Sequence, residues 1–420
     1  MAFPHARFLV LALLCALVAA CRLAPAKSLR ESDFRAQVGH RVVTTLDKQQ
    51  HYFASDGERN RFHERMGVIA RSTEDAPSYY GAVSRALASL GEGHTGLVAS
   101  PEVPFGDTMP PVAILEIDGY PVVAGCAPGI ESGGLRCGDL ILGVDGKPAG
   151  VAIEERARTT AGSTPHGHRA RAIANLLAGS TNTPALVRVR GMDGRERLCF
   201  PLRFLMEDPG QERFRFGFAD EAVRATRVST AAIHISLPDF RPGRADELER
   251  SLAGLEGLPL VVLDLRGNPG GRVQTMQEIA GIFVEPDTAL LEVAENGHTE
   301  AIRARRGAVH SRAKLRILID ERTGSAAELL AAALQDLGRA DLYGRTSAGS
   351  TRSRHTMLLP GEVQFHYAGK AEFRRSNGVA IEGVGVEPDV HASPSRKSLA
   401  DGSYGDPGRD PLIRLAAGLN

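Results

Sequence analysis

The spacing of apolar residues predicts an amphipathic helix before residue 91. Apolar side chains recur at spacings of three, four and three residues, at Tyr80, Val83, Leu87 and Leu90. This spacing puts them on one face of a helix that starts after Pro77. Gly91 and Gly93 are expected to end the helix, so His94 falls in the turn that follows it. Residues 21–105 are therefore predicted to form a short tether and a helical segment.

Residues 106–206 have a different pattern, in which short apolar runs alternate with turns, as is typical of β-strands. The runs cover residues 112–117, 121–124, 140–144, 185–190 and 198–202. The segment GGLRCGDLILGVDG at 133–146 resembles the signature of PDZ domains. That resemblance implies a small β-rich domain that captures extended peptide C-termini by strand addition. A purely structural role is the alternative.

Between residues 207 and 395, apolar strands alternate with helical patterns. Leu258–Leu265 and Leu315–Ile319 are nearly continuous apolar runs, as expected for strands buried on both faces. Helical patterns follow them, over Val273–Phe283 and Ser325–Leu337. The predicted fold of this region is an α/β core with a largely parallel sheet.

The composition indicates a folded, multi-domain chain. The 420 residues are 43% hydrophobic and 24% charged, which is enough to fill more than one core. Fifty Lys and Arg balance fifty Asp and Glu, so the formal net charge is +0. Without a cationic excess, we expect no nucleic-acid partner and no electrostatic binding to a membrane. Residues 396–420, rich in Ser, Asp, Gly and Pro, are predicted to be a flexible tail.

Residues 1–20 are predicted to be an export signal. Arg7 precedes an uninterrupted apolar run from Phe8 to Ala20, which is too short to span a bilayer and suits a signal h-region. The run ends in the sequence VAAC at Cys21, which resembles a bacterial lipobox. The resemblance implies a lipid anchor on Cys21, as the only membrane contact, and exposure to the periplasm or the cell exterior. Soluble secretion after cleavage near Ala20 is the alternative.

The remaining cysteines do not form a metal-binding pattern. Cys126, Cys137 and Cys199 are an odd number without CxxC spacing, so we expect no zinc site. Three small buried thiols are predicted, with one disulfide as the alternative in an oxidising compartment. The His-Gly-His sequence at 166–168 lies among Ser, Thr, Pro and Gly and is predicted to be a solvated loop. We expect neither a metal nor a cofactor.

The first of three candidate catalytic loops follows a buried strand at Asp264. Residues 264–271, DLRGNPGG, form a glycine-rich turn at the carboxyl end of that strand, where α/β sheets usually bind ligands. Glycine allows backbone N–H groups to point at an oxygen anion. A phosphate-binding loop is disfavoured because neither GK[ST] nor GxGxxG occurs nearby.

The second loop, TGSAAE at 323–328, opens an Ala- and Leu-rich helix directly after a strand. A nucleophile at Ser325 would lie in the positive potential of the helix N-terminus. Its tetrahedral oxyanion would lie near free N–H groups, including that of Ala326. Ser-x-x-Glu is also a capping box, in which Ser325 only satisfies backbone donors. The local sequence fits both roles equally.

The third loop is GEGHTG at 91–96, where glycine and threonine flank His94. A turn position is compatible with a general base. Taken alone, the loop favours an ordinary surface histidine instead.

Together these loops resemble the C-terminal processing, or tail-specific, serine protease family. The resemblance rests on VVLDLRGNPGG and ERTGSAAELLAAALQDLGRADLYGRT, with IEGVGVEPDV similar to a closing GvxPD element, and covers roughly residues 80–392. Members of the family also carry a PDZ domain before the catalytic core. The resemblance implies that Ser325 is the nucleophile, and that Gly270 or Gly271 forms the oxyanion hole with the N–H of Ala326.

One departure from the family changes the expected mechanism. In members with a Ser-Lys dyad, the lysine follows the serine by twenty-five residues, and Ser350 stands at that position here. A tricorn-like branch does not depend on this lysine. It has a histidine after the N-terminal helical segment and a glutamate before GvxPD, which correspond to His94 and Glu382. This implies a Ser-His-Glu arrangement, with Glu387 as the competing carboxylate.

The sequence therefore predicts a serine peptidase that acts on peptides or proteins through an acyl-enzyme. One alternative is a scaffold that has lost this chemistry and binds peptides or apolar ligands. A second alternative keeps the catalysis but takes the base from Lys370 or Lys314.

Overall fold

A computed structural model describes most of the chain after residue 30. The described residues are 31–100, 102–103, 105–106, 108–126, 133–203, 222–253, 259–306 and 313–419. The predicted signal and the predicted lipid attachment at Cys21 lie outside them. Within these ranges, no helix combines the length and the apolar character that crossing a bilayer requires.

Helices and strands are numbered here in chain order. The helices are α1 (Glu31–Gln49), α2 (Asp56–Ser72), α3 (Ala76–Ala88), α4 (Ala149–Ala157), α5 (Pro165–Ala174), α6 (Arg244–Leu252), α7 (Val273–Phe283), α8 (Ala326–Asp336), α9 (Arg396–Ala400) and α10 (Pro411–Ala417). The strands are β1 (Gly96–Val98), β2 (Val112–Ile117), β3 (Tyr120–Cys126), β4 (Leu140–Val144), β5 (Lys147–Pro148), β6 (Val187–Arg190), β7 (Glu196–Cys199), β8 (Arg224–Arg227), β9 (Ala232–Ser236), β10 (Leu260–Asp264), β11 (Ala289–Glu295), β12 (His298–Arg303), β13 (Lys314–Ile319), β14 (Ala340–Gly344), β15 (Arg354–Leu358), β16 (Gln364–Ala368), β17 (Glu372–Arg374) and β18 (Val390–His391).

Helices α1 to α3 form the N-terminal helical segment. The apolar face of α3 is buried as predicted, in a core shared with α1, α2 and β16. Asp75 caps α3 by accepting a hydrogen bond from Ser78 N at 2.7 Å, so the helix begins just before Pro77 rather than after it. Gly91 follows the helix with a φ of +69°, a left-handed conformation that suits glycine.

The second region is a small antiparallel sheet covered by α4 and α5. Its strand order is β2-β3-β4-β6-β7, with β5 paired to β4. The apolar core lies between the sheet and the helices and includes Ile114, Ile141, Ile173 and Val187. Strand β2 lies at the sheet edge. Cys199 is buried, but Cys126 and Cys137 are only half-buried, so the prediction of buried thiols holds for one position of the three.

The prediction of a solvated loop at 166–168 is wrong, because these residues lie in α5. The Thr164 side chain accepts a hydrogen bond from Gly167 N at 3.0 Å, and Pro165 occupies the first turn, where a missing N–H costs nothing. His166 Nε2 lies 2.6 Å from Ser347 O, which links α5 to the region after β14. A helix start that is rich in Ser, Thr, Pro and Gly resembled a loop in sequence.

The third region has a six-stranded sheet in the order β18-β14-β13-β10-β9-β8. The pairings from β9 to β18 are parallel, whereas β8 pairs antiparallel with β9, so the sheet is mixed. The two predicted apolar strands are the neighbours β10 and β13. Helices α6, α7 and α8 pack in one core with this sheet. The α/β class is confirmed, while the other sheets of the described residues, β1-β16-β15 and β12-β11-β17, are antiparallel.

The prediction of a flexible tail after residue 395 is also wrong. Leu412 and Ile413 of α10 pack against the six-stranded sheet beside Val262, and Leu399 of α9 packs against the β2–β3 hairpin. The polar composition suggested a tail, but a polar side chain can also be a partner for a buried charge. Asp410 is almost fully buried and pairs with Arg266 at 3.0 Å.

Candidate active site

Ser325 lies at the sharp junction between β13 and α8. Its backbone has φ +54° and ψ −126°, a region that costs a non-glycine residue about 1–3 kcal/mol. Such strain at a strand-to-helix turn exposes a nucleophile above the sheet edge. The start of α8 is capped by Glu328. Its carboxylate accepts a hydrogen bond from Ser325 N at 2.9 Å, and its backbone N–H donates to Ser325 O at 2.9 Å. The hydroxyl of Ser325 is therefore not required as a cap.

The glycine-rich loop at 264–271 packs directly against this junction. A Cβ atom on Gly270 would lie 2.6 Å from Ser325 Cβ and 2.7 Å from Ala326 N, so no larger residue fits there. Gly324 N donates to Asn268 O at 2.9 Å and fixes the two loops to each other. The sequence predicted this contact only by resemblance, and the geometry supplies its steric reason.

Two backbone N–H groups beside Ser325 are available to an incoming oxygen. Gly270 N donates to Asn268 Oδ1 at 2.8 Å, so its N–H is already engaged. Among the described residues, Gly271 N and Ala326 N have no hydrogen-bond partner. Asn268 itself is fully buried and donates to Leu237 O at 2.7 Å, which fixes its side chain.

The turn that holds His94 meets the Ser325 junction at Ser350. Gly93 N donates to Ser163 Oγ at 3.1 Å, and Ser350 Oγ donates to the same oxygen at 3.1 Å. Ser350 O accepts from Ser325 N at 2.9 Å. The structure therefore brings His94 and Ser325 to the same short segment, although they are far apart in sequence.

Ser350 and the His94 turn fit each other sterically. A Cβ atom on Gly93 would lie 2.3 Å from Ser350 Oγ, so the two loops are in close contact. A lysine at 350 would need space that the His94 turn occupies. The serine at this position is thus consistent with a site that uses a histidine instead of a lysine.

The imidazole of His94 is held in its neutral form. Burial, together with the charges of Arg171, Arg354 and His366, lowers its pKa to about 3. Its Nδ1 atom is buried without a hydrogen-bond partner in the described part of the chain. No hydrogen bond joins the ring to Ser325 among those residues. A neutral imidazole is the form that can accept a proton.

Glu382 does not hydrogen-bond to His94. Its Oε2 atom accepts from Thr351 N at 2.5 Å, Arg352 N at 3.0 Å and Thr351 Oγ1 at 3.3 Å. It therefore braces the segment directly after Ser350. The competing carboxylate, Glu387, has a side chain that is 76% exposed and pairs with His391 at 3.3 Å.

Glu328, identified in sequence only as a helix cap, is at the centre of the site. Its Oε1 accepts from Ser347 Oγ at 2.6 Å and Gly349 N at 2.5 Å, and its Oε2 accepts from Ser325 N and Ser350 N, both at 2.9 Å. Burial raises its pKa to about 7, although these four hydrogen bonds favour the carboxylate. Glu328 thus fixes the segment 347–350 against the nucleophile.

Two charged residues near His94 were missed by the sequence argument. Glu92 is buried and accepts from His94 N at 3.2 Å and from Thr95 Oγ1 at 2.6 Å. Burial raises the pKa of Glu92, and the charge of Glu382 adds to this effect. Arg171 of α5 donates to Gly93 O at 2.7 Å. The position of Glu92, two residues before His94, was a signal that the sequence offered. Nothing in the sequence indicated Arg171, because it comes from another region of the chain.

The two lysines considered as alternative bases lie in different places. Lys314 begins β13, whereas Ser325 follows its other end, and Lys314 pairs with Asp341 at 3.3 Å. At roughly 3.3 Å per residue, the strand length separates Lys314 from the site. Lys370 lies at a polar cavity with Arg352, which contacts its carbonyl oxygen at 3.4 Å.

Comparison with known proteins supports the resemblance stated from the sequence. Residues 231–392 match the family described as Peptidase family S41. A probable CtpA-like serine protease of Staphylococcus haemolyticus is 29% identical over 166 residues, which are 38% of this chain and 33% of that protein. The carboxy-terminal processing protease CtpB of Bacillus subtilis is 26% identical over 227 residues, 51% of this chain and 46% of that protein. The chain thus spans between a third and a half of these relatives, and the predicted resemblance is confirmed.

Solved structures share the fold over nearly the whole chain. Mature CPAF complexed with lactacystin has a TM-score of 0.69 at 13% identity and covers 92% of this chain and 99% of that chain. The photosystem II D1 C-terminal processing protease has a TM-score of 0.54 at 20% identity, covering 90% and 99%. The tricorn protease has a TM-score of 0.50 at 17% identity, covering 92% of this chain and 36% of its own.

Proposed function

We propose that this protein is a serine peptidase that hydrolyses peptide bonds through an acyl-enzyme on Ser325. The observation that carries the proposal is the strained backbone of Ser325 at the strand-to-helix junction, with Gly270 packed against its Cβ. The match to Peptidase family S41 and the relatives named as serine proteases support the same reaction class. The substrates are then peptides or proteins.

In the first step, the neutral imidazole of His94 accepts the hydroxyl proton of Ser325 while Oγ attacks the substrate carbonyl carbon. The carbonyl oxygen becomes negative and accepts hydrogen bonds from Gly271 N and Ala326 N. The C–N bond then breaks, and the leaving amine takes the proton from His94. Water attacks the acyl-enzyme with the same base, which releases the acid and restores Ser325.

Glu382 and Glu92 contribute to this site by positioning its loops. Glu92 is hydrogen-bonded to the backbone of His94, and Glu382 holds the segment after Ser350. In the proposed Ser-His-Glu arrangement, Glu382 therefore positions the segment after Ser350 and makes no hydrogen bond to the ring.

Active-site titration with an organophosphorus reagent tests the nucleophile. Ser325→Ala should abolish covalent labelling, and His94→Ala should slow it by about 1,000-fold or more, as loss of the base does in serine peptidases. Ser376→Ala, an exposed serine of the same region, is the matched control and should label like the parent. Labelling that persists in Ser325→Ala would exclude the proposed nucleophile.

A non-catalytic scaffold that binds peptides or apolar ligands is the second candidate. The unpartnered Nδ1 of His94 favours it, because a relay histidine is normally oriented by a hydrogen bond. This candidate predicts no labelling of the parent protein and equal peptide binding by Ser325→Ala. A lysine base at Lys370 predicts a third result, in which His94→Ala keeps nearly full activity.

We also propose that residues 106–206 act as a PDZ-like domain and that the protein is exported with a lipid on Cys21. The PDZ-like domain is supported by the edge position of β2 and the motif at 133–146, and the lipid is supported by the sequence VAAC at Cys21. Arg345 Nη1 donates to Glu116 O at that edge at 2.9 Å, so peptide addition there has to displace this contact.

The proposed lipid anchor is tested by cell fractionation. Cys21→Ala should move the protein from the membrane fraction to the soluble fraction, and no change would refute the anchor.

A further inference from the structure

A polar cavity of about 610 Å³ lies next to the candidate active site. It is bounded by the end of α1, the hairpin β11–β12 and the start of β17. Its charged and imidazole side chains belong to His51, Glu295, His298, Arg352, Lys370, Glu372 and Arg374. None of these residues takes part in the acyl-transfer steps proposed above.

The charges that line this cavity leave positive potential inside it. Glu372 is shared by two arginines, with Arg374 Nη2 at 2.5 Å and Arg352 Nη2 at 3.7 Å. Lys370 is half-buried and has no ion pair among the described residues. The other acid, Glu295, is exposed at the tip of the hairpin. The lining thus carries three cations against two carboxylates, so the cavity favours an anionic ligand.

His51 also lines the cavity. Its Nε2 atom is buried without a hydrogen-bond partner in the described part of the chain, and its Nδ1 lies 3.0 Å from Gln49 O. Burial, together with the charge of Arg352, lowers the pKa of His51 to about 4. A carboxylate in the cavity would offset the repulsion between Arg352 and a protonated His51.

The cavity is connected to the site by two residues of backbone. Ser350 O accepts from Ser325 N, and Arg352 N donates to Glu382 Oε2 at 3.0 Å. Two residues span at most about 7 Å, so Arg352 begins within that distance of the Ser325 contact. An extended peptide rises about 3.3 Å per residue. A substrate held at Ser325 can therefore present a carboxylate to this cavity from a position one to three residues away.

We propose that this cavity is a carboxylate subsite of the peptidase, which selects peptides with an acidic group close to the scissile bond. Lys370, Arg352 and Arg374 supply the positive charge. The acidic group is either an Asp or Glu side chain or the α-carboxylate of a short C-terminal fragment. This inference rests on the proposed peptidase function.

The test uses the chain without residues 1–20 and fluorogenic peptides in matched pairs. One pair differs by Asp against Asn at each position near the cleavage site, and the other by a free against an amidated C-terminus. We expect the acidic member of one pair to have a kcat/KM roughly tenfold higher, which corresponds to one partly buried ion pair. The pair that shows the preference identifies the source of the carboxylate.

Lys370→Gln should remove the preference by lowering kcat/KM for the acidic peptide alone, and Lys370→Glu should reverse it. Arg303→Gln, an exposed cation on the same hairpin, is the matched control and should keep the preference. Equal cleavage of both members of each pair by the parent protein would overturn the subsite. An equal loss for both members in Lys370→Gln would do the same, because it would indicate a general role for the lysine.

A binding measurement separates this inference from the proposed function. Fluorescence anisotropy of the same labelled peptides with Ser325→Ala should show roughly tenfold tighter binding of the acidic member. If the parent protein cleaves no peptide and is not labelled at Ser325, the peptidase proposal fails while an anisotropy preference still supports the subsite. Equal binding of acidic and amide peptides would refute the subsite whatever the catalytic result.

Discussion

Two groups of buried or half-buried charged residues lie next to the candidate catalytic loops and differ in how their charges are balanced. One, here called the paired cluster, consists of Asp264, Arg266, Asp320, Arg322 and Asp410. The other, here called the active-site cluster, consists of Glu92, Arg171, Glu328 and Glu382.

In the paired cluster, each carboxylate has a guanidinium partner. Arg266 lies 2.6 Å from Asp264 and 3.0 Å from Asp410, and Arg322 lies 2.5 Å from Asp320. Burial opposes ionisation of Asp264, but the charge of Arg266 and the hydrogen bonds hold its pKa well below the usual range. The pKa of Asp320 is lowered in the same way by Arg322.

In the active-site cluster, three carboxylates lie around Arg171, and Arg352 is a second cation close to Glu92 and Glu382. Arg171 hydrogen-bonds to the carbonyl of Gly93 rather than to a carboxylate. Burial therefore dominates, and the pKa of Glu92 is raised while that of Glu328 reaches about 7. Carboxylates whose pKa values are raised by burial are typical of functional sites. The ion pairs of the paired cluster stabilise the fold, whereas the carboxylates with raised pKa values lie beside the candidate nucleophile.

The largest expected effect is on activity, from Glu328→Gln. The amide can accept only half of the four hydrogen bonds, so the segment 347–350 loses its fixed position and kcat/KM should fall about 100-fold at pH 8. In the parent protein, kcat/KM should fall as the pH drops through about 7, because protonated Glu328 loses an acceptor. His94, with a pKa of about 3, does not titrate in this range.

The measurement is kcat/KM from pH 5 to 9 for the parent, Glu328→Gln and the control Glu387→Gln. The control should match the parent, since Glu387 is exposed. If kcat/KM of Glu328→Gln falls at low pH as it does in the parent, the titrating group is another residue such as Glu92, and the assignment of the acid limb to Glu328 is wrong.

The next effect is on stability, from Asp410→Ala in the paired cluster. The substitution removes one of the two carboxylates that pair with Arg266 and also the side chain that caps the start of α10, so the free energy of unfolding should fall by about 3 kcal/mol. Urea unfolding should show this loss, and Glu387→Ala, which breaks an exposed pair with His391, should change the free energy of unfolding by less than about 1 kcal/mol. Equal small losses for both would contradict a structural role of the paired cluster.

The pH dependence of stability should have opposite signs for the two clusters. Between pH 4.5 and about 7, folded Glu328 keeps a proton that the unfolded chain has lost, so its contribution to stability falls as the pH rises. The slope is at most about 1.4 kcal/mol per pH unit, and Glu328→Gln should remove it. For Asp264, the contribution is present above its ordinary value of 3.8 and is lost as the pH falls. Denaturation curves across pH 3–8 check both signs.

The smallest effect is expected from Tyr404→Phe. The Arg266 Cζ atom lies 4.9 Å from the Tyr404 ring centre, and Arg322 Nη2 donates to its hydroxyl at 3.3 Å. Phenylalanine keeps the ring and loses only the long hydrogen bond, so the free energy of unfolding should fall by about 0.5–1 kcal/mol. Tyr404→Ala should cost more, and equal losses for both variants would show that the hydroxyl matters more than the ring.

Regular elements were predictable where one local pattern determined them. The apolar runs of β10 and β13 and the periodic helices α3, α7 and α8 follow from side-chain spacing within a single segment. The glycine loop and the serine at a helix start were likewise visible, because their backbone requirements are local. The wrong assignments, α5 at 166–168 and the packed residues after 395, are polar segments whose partners lie in other regions.

The amino-acid sequence alone thus determined the elements with a clear local pattern, such as β10, β13, α3 and the glycine-rich loop at 264–271, since hydrophobic periodicity and backbone freedom act over a few residues. Tertiary structure decided which charges share an environment. The placement of Arg171 and Glu328 around Ser350, and of Asp410 beside Arg266, joins residues far apart in the chain. Burial and pairing energies depend on that placement, because removal of water and the distance to a partner are set only when the chain is packed.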